Sequence, residues 1–445
     1  MVNNLLALIY LLSTQPLFAA RNGDARCKFL RGYVDCLSII CAINDKFDAE
    51  LERLVFADWL QEHKYGERAE FIREHIQFSK MSKKDPEYVK TRARLIEILK
   101  RNLVQWLSVE TRRAIRTMVD ESRIDDFSYL IRGHRQDADY ERALLSFDRG
   151  FLTKLWVGPS DFSQLDKIVK SNMMHLNVAA EADLEGLASL TTTRAAQYID
   201  ELYLSRLTIV GSRFTADSLR SIGSSPDFAK LRRLEMGTGE IFATSTRETG
   251  FWSLFSDSAS TKNIEEVFWT VENSIEPFTA AQPLTGLKLK KLRSAIETDD
   301  ELRNLIASGI LKKIEELNAA HTQKTGRGIS NFGVRTLLTH ALKLKSLTVK
   351  SDLINDNVSS SFIGLENAEL EEVKFSGGNF TPDGLADILE ATLNFENFKT
   401  ISFYSPSLLT LIRNGSISSG RLGETIRRWK SKMKNRRITI VFYEF

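Results

Sequence analysis

The feature that most constrains this chain is a six-residue frame, apolar-x-x-apolar-x-apolar, that recurs through its C-terminal half. It occurs as IDELYL from Ile199, LRRLEM from Leu231, IEEVFW from Ile264 and LKKLRS from Leu289. It returns as IEELNA from Ile314, LKSLTV from Leu344, LEEVKF from Leu370 and FKTISF from Phe398. Neighbouring starts lie 25 to 33 residues apart, about 28 on average. LTKLWV at Leu152 and MHLNV around His175 are weaker early copies, and RITIVF near Arg437 closes the chain. A short strand and a connecting helix at this period cannot bury their apolar stripe alone; they must stack on copies of themselves. The segments between frames agree. FTADSLRSIGSSPDF opens on a capping Thr215 or Asp217, and TPDGLADILEATLNF spaces Leu385, Ile388, Leu389 and Leu393 along one helix face. With each buried large aliphatic contributing about 1.5–3 kcal/mol, three per unit supply much of the cohesion.

Stacked parallel strands lie about 4.8 Å apart, so equivalent frame positions become direct neighbours. The second positions run Asp200, Arg232, Glu265, Lys290, Glu315, Lys345, Glu371, Lys399, alternating in sign at every step. The third positions begin the same way with Glu201, Arg233, Glu266, Lys291 and Glu316, then pass to Ser346, Glu372 and Thr400. Glu315 and Glu316 are therefore rungs of a charge ladder rather than a catalytic carboxylate pair. Alternating charge also makes a poor track for nucleic acid, which needs one sign along its path. The fifth positions follow no alternation: Tyr203, Glu235, Phe268, Arg293, Asn318, Thr348, Lys374, Ser402. Tyr203 and Phe268 are expected to be exposed, and aromatics and Arg are favoured interface anchors. Tyr203, Glu235, Phe268, Arg293, Asn318 and Lys374 are thus the candidate partner-binding residues. The competing reading is that the two aromatics only cover neighbouring side chains.

The period resembles that of the ribonuclease-inhibitor type of leucine-rich repeat. The chain departs from that type in lacking a regular Asn after the strand, so irregular turns are expected. Residues 40–145 follow another rule. INDKFDAELERLVFADWLQEHKYGERAEFIREHIQFSKM spells two helices broken near Gly66, the first capped by Asp45 or Asp48. Leu51, Leu54, Val55, Trp59 and Leu60 are the expected inner face of the first, and Phe71, Ile72, His75 and Ile76 that of the second. A third amphipathic helix, YVKTRARLIEILKRNLVQWLS, offers Leu95, Ile98, Leu99, Leu103, Trp106 and Leu107. Asp58 and Arg73 are expected to pair, partly buried, across the hairpin beside Trp59. Glu67, Glu70 and Glu74 on the second helix speak against its reading DNA phosphates.

The stretch RLVFADWLQEHKYGERAEFIREHIQF resembles the bacterial repeat-companion domain, a helical module that precedes leucine-rich repeats. The residues that carry the likeness are Arg53, Leu54, Val55, Ala57, Asp58, Trp59, Leu60, Arg68, Ala69, Glu70, Phe71, Ile72 and Arg73. LVQWLS around Trp106 and FDRGFLTKLWV from Phe147 are similar to that family's lead into its first repeat. FLRGYVDCLSI, Phe29 to Ile39, copies the Arg-Gly-aromatic frame as a remnant or an extra strand. The resemblance implies an interaction or scaffold role and brings no catalytic residues. The expected fold is α/β: residues 1–39 an extension, 40–145 the helical module, 146–420 an irregular leucine-rich-repeat solenoid with parallel strands on its concave face, and 421–445 a basic cap helix and strand.

The chemistry of the remaining residues narrows the function. A net charge of +3 over 445 residues makes no general case for a polyanion partner. Cys27, Cys36 and Cys41 match neither a disulfide framework nor a zinc spacing, and six histidines are scattered without metal-ligand order. GTGEIF at Gly237 lacks the third glycine of a dinucleotide loop, and KTGRG at Lys324 lacks a strand–helix context for phosphate. No cofactor and no enzymatic role are expected. The apolar run Leu5 to Leu12 is too short to span a bilayer and has no preceding Lys or Arg, so a cytoplasmic chain without membrane attachment is the reading, with a cleaved leader as the rival. One uneven run remains, TIRRWKSKMKNRR. Ile426, Trp429 and Met433 are the expected inner face of a cap helix. Arg427, Arg428, Lys430, Lys432 and Lys434 would meet solvent, an acidic partner or nucleic acid. The leading expectation is a non-enzymatic adaptor that docks a protein; the alternative is an accessory nucleic-acid-associated subunit.

Overall fold

A computed structural model describes residues 39–40, 42–44, 50–82, 84–107, 111, 145–171, 176–204, 214–236, 261–269, 287–320, 328–365, 369–393, 395–404 and 420–432. The capping candidates Asp45 and Asp48, the three cysteines, the glycine loops at 237 and 324, and the closing RITIVF fall outside them. So do the apolar run Leu5 to Leu12 and, but for Ile39, the copy FLRGYVDCLSI. The fold is mixed α/β, with helices first and then strands that follow chain order in one open sheet. It divides into two units, Met1–Ala179 and Ala180–Phe445.

The first unit begins with helices α1 (Glu50–Glu62), α2 (Gly66–Phe78) and α3 (Tyr88–Trp106). A hairpin of β1 (Leu145–Asp148) and β2 (Phe151–Val157) and the short α4 (Leu165–Ser171) follow. α2 and α3 turn the expected faces inward, with Phe71, Ile72, His75, Ile76, Leu95, Ile98, Leu99 and Leu103 all buried. α1 does so in part. Leu60 is buried and Leu54 and Trp59 pack against the core as expected, but Leu51 and Val55 are exposed, and Arg53, Phe56 and Ala57 are buried instead. Both stripes have helical spacing, and the larger ring decides between them. Phe56 lies 5.9 Å from Trp59 and 5.6 Å from Phe151, ring centroid to centroid, and Arg53, itself buried, holds its guanidinium 5.8 Å from the centroid of the Phe151 ring. Asp58 and Arg73 do pair across the helix hairpin, at 2.6 Å, but at the surface, with Asp58 two-thirds exposed. Arg94 of α3 engages Glu70 and Glu74.

The stretch FDRGF is the tip of the β1–β2 hairpin. Arg149 (φ 47°) and Gly150 (φ 88°) both take positive φ, as a two-residue turn matched to strand twist requires. The Gly150 amide donates to Nδ1 of the fully buried His75 at 3.0 Å. A Cβ on Gly150 would sit 2.8 Å from the Ile72 Cα.

The second unit repeats a strand and a helical segment. β3 (Asn177–Ala182) crosses the division; α5 (Leu184–Thr192), β4 (Ile199–Leu204), α6 (Ala216–Ser224), β5 (Arg233–Met236) and β6 (Glu266–Trp269) come next. Then follow β7 (Lys291–Ala295), α7 (Asp299–Ala307), β8 (Glu316–Ala320), α8 (Asn331–His340) and β9 (Ser346–Lys350). A 3-10 segment (Asp356–Phe362), β10 (Glu372–Ser376), α9 (Pro382–Thr392), β11 (Thr400–Tyr404) and α10 (Gly420–Lys432) complete it. From β4 to β11 each strand pairs in parallel with the next, frame position on frame position. The first residue of every frame, Ile199 to Phe398, is at most 2% exposed. The fourth and sixth positions are buried too; only Ser294 among them is polar.

The turns are more regular than expected. Asn331, Asn355 and Asn379 recur 24 residues apart. The Asn331 amide group donates to the Asn355 side chain at 2.8 Å, its carbonyl oxygen accepts from the Asn355 amide at 3.2 Å, and Asn355 bridges to Asn379. Beside them, the carboxylate of Asp299 accepts from Ser330, the N-cap of α8, and that of Asp356 from Thr381, the N-cap of α9. The caps of α8 and α9 are thus each held by the unit before. Thr215, not Asp217, caps α6.

Gly150→Ala combines a strained positive φ with overpacking against Ile72, and should cost about 2–4 kcal/mol in urea unfolding followed by tryptophan fluorescence. An unchanged midpoint would refute the close approach.

Candidate functional site

The outward side of the β4–β11 sheet carries the third and fifth frame positions. Sign alternation is realised there as contacts. Lys291 reaches Glu266 on one side at 3.5 Å and Glu316 on the other at 3.2 Å. At the second positions Lys290 meets Glu265 at 3.4 Å, Lys345 meets Glu315 at 3.0 Å and Lys399 meets Glu371 at 2.6 Å. The backbone joins the same residues: the Glu315 amide donates to the Lys290 carbonyl at 2.7 Å. The hydrogen bond from Lys345 is the main reason the Glu315 carboxyl titrates below its ordinary 4.5. Burial works to lower the Lys291 ammonium, but the Glu266 and Glu316 carboxylates outweigh it and raise it. Both neighbouring glutamates of IEELNA are occupied by lysines, which leaves no paired carboxylates poised for acid–base work.

The fifth row behaves differently along its length. Its two aromatics are not exposed side by side; Tyr203 is buried and Phe268 half-buried. The cause is Arg233, a third-position residue on the strand between them. Its guanidinium lies 4.3 Å from the Phe268 ring centroid and 5.6 Å from that of Tyr203, and it reaches Glu235 at 3.3 Å and Glu266 at 3.8 Å. The Tyr203 hydroxyl donates to Glu201 at 2.9 Å, and burial, reinforced by that carboxylate, pushes it well above the usual phenol range. Three candidate residues, Tyr203, Glu235 and Phe268, are therefore drawn into one cluster around Arg233. The covering role explains Tyr203. Frame order alone held the signal, since a third-position Arg flanked by two fifth-position aromatics can stack on both.

Past this cluster the row opens. Arg293 is exposed, in register between Phe268 and Asn318. Asn318 is half-buried, and Lys374 is turned to Glu372 on its own strand at 3.0 Å. At the other end of the unit, α10 buries Leu422, Thr425 and Trp429. The Trp429 indole N–H donates to Thr392 of α9 at 3.2 Å, and its ring meets Phe398 edge-on at 6.2 Å. Arg421 anchors the same helix to Asp387 and Glu390. Ile426 is only half-buried, while Arg427 and Arg428 are exposed. Lys430 and Lys432 lie on the same helix; Lys434 and Met433 lie outside the described residues.

Among the described residues no three His, Cys, Asp or Glu are grouped to hold a metal ion, and no helix is long and apolar enough to cross a membrane. Neither a protein family nor a curated protein matches the sequence.

The Lys291–Glu316 rung is partly exposed, so a double-mutant cycle of Lys291→Met and Glu316→Gln should give a coupling of about 0.5 kcal/mol, falling with salt. For Glu315 the sign runs the other way from a lysine. A lowered folded pKa means its contribution is present above pH 4.5 and lost as pH falls through the folded value. An NMR titration should place its midpoint below 4.5, with Lys345→Met returning it upward; coincident midpoints would contradict the rung.

Proposed function

We propose that this chain is a non-enzymatic interaction protein whose second unit is an irregular leucine-rich-repeat solenoid, preceded in sequence by a helical module of the bacterial repeat-companion type. Support for the repeat reading comes from eight frames that meet position for position and from linked caps that recur between units. The docking surface is the open part of the fifth row around Arg293. That guanidinium is the observation that carries the reading. It stands exposed between the half-buried Phe268 ring and Asn318, and among the described residues it makes no ion pair. A fork of donors beside an aromatic edge suits a carboxylate-bearing segment of a protein partner.

Affinity capture with the whole chain, wild type against Arg293→Glu, tests this. A protein retained by wild type and lost, by tenfold or more, with Arg293→Glu at unchanged melting temperature is the expected outcome. Identical retention by both would contradict it.

A further inference from the structure

A second surface follows from how differently the cations of this unit are matched. On the sheet, Arg233, Lys290, Lys291, Lys345, Lys374 and Lys399 each meet a carboxylate within 4 Å, whereas among the described residues Arg232 and Arg293 meet none. The first turn of α10 follows the same rule, since Arg421 is claimed by Asp387 and Glu390 of α9. Its next two arginines meet none among the described residues. Arg427 and Arg428 point to solvent, no acid follows Glu424 in the helix, and Lys430 and Lys432 continue the sequence of cations. Over six positions, Arg427 to Lys432, the helix carries four formal positive charges and no negative one.

Cations near a helix C-terminus favour the helix through its dipole, but that effect is confined to the last turn and is satisfied by one or two. The apolar side of this helix is already spent. Trp429 is fully buried against Phe398 and Thr392, so the helix cannot also lay an apolar face into a lipid surface or a partner's groove. Among the described side chains the outer face offers no aromatic or aliphatic anchor of the kind that dominates protein interfaces. What it offers is the exposed guanidinium charge of Arg427 and Arg428 on a tryptophan-anchored helix. We propose that the outer face of α10 binds the phosphate backbone of nucleic acid, without reading its sequence. Phosphates repeat one sign at short intervals and accept paired N–H donors from Arg, whatever bases they carry.

The test uses the full chain and fluorescent single-stranded RNA and duplex DNA oligonucleotides of mixed sequence, with polyglutamate as the competing polyanion. Binding at 50 mM salt should weaken steeply by 200 mM. The double variants Arg427→Glu/Arg428→Glu and Arg427→Gln/Arg428→Gln should both bind at least tenfold more weakly. The neutral pair should also flatten the slope of log affinity against log salt by about 2, one contact for each arginine removed. The melting temperature should be unchanged in both, and the Gln pair keeps the test valid if the Glu pair fails to fold. Retention of either oligonucleotide with these dependences, and little competition by polyglutamate, supports the proposal. Absence of binding at 50 mM salt, binding unaltered by the neutral pair, or displacement by polyglutamate at equal charge would overturn it, the last in favour of an acidic protein partner.

Discussion

The in-register hydrogen bonding of parallel strands from β4 to β11 is the constraint on which the other features of the second unit rest. A parallel ladder places residue upon equivalent residue, so any property repeated in the sequence becomes a continuous row in space. Apolar first, fourth and sixth positions become one unbroken core. Alternating second and third positions bring opposite charges side by side, and several of them, from Arg233–Glu266 to Lys399–Glu371, close as ion pairs between strands. A shift of one unit would leave the apolar rows intact yet bring Glu265 beside Glu315, and Lys290 beside Lys345. The charges add little to stability and much to the cost of the wrong order.

The same repetition reaches the turns. Asp299 and Asp356 each serve a cap one unit ahead, and Asn331, Asn355 and Asn379 hand hydrogen bonds along the row. These links join groups whose unpaired burial would be costly, so they reinforce the register from the opposite side of each unit. A sheet face neutralised in this way leaves only local openings for recognition. Arg293 on the sheet and Arg427 and Arg428 on α10 are exposed, and it is on these that the two proposals rest.

Much of this was legible in the residues. The frame, its period and the sign alternation named the pairs Lys290–Glu265, Lys345–Glu315 and Lys291–Glu316 before any coordinates, because parallel stacking converts spacing directly into contact. Helices α2, α3, α9 and α10 were legible from their apolar spacing. The inner face of α1 was legible only in Leu54, Trp59 and Leu60, since Leu51–Val55 and Arg53–Phe56 both fit a helical stripe, and only packing against Phe151 selects one. The burial of Tyr203 is hard to read for a similar reason. Exposure of a fifth-position side chain depends on what the neighbouring strand places over it, and Arg233 is both a rung of charge and a cation that stacks. The asparagine row escaped notice because its 24-residue spacing is shorter than the mean period and belongs only to the last units.

The register itself can be measured most directly by chemistry across a single step. In a chain whose three native cysteines are replaced by serine, Asn318→Cys with Thr348→Cys places thiols on register partners of β8 and β9. Mild oxidation should close that disulfide readily, since neighbouring strands lie about 4.8 Å apart. Asn318→Cys with Lys374→Cys, one strand further, should remain open. Equal cross-linking of both pairs, or failure of the first, would contradict the stacking on which the account of the sheet rests.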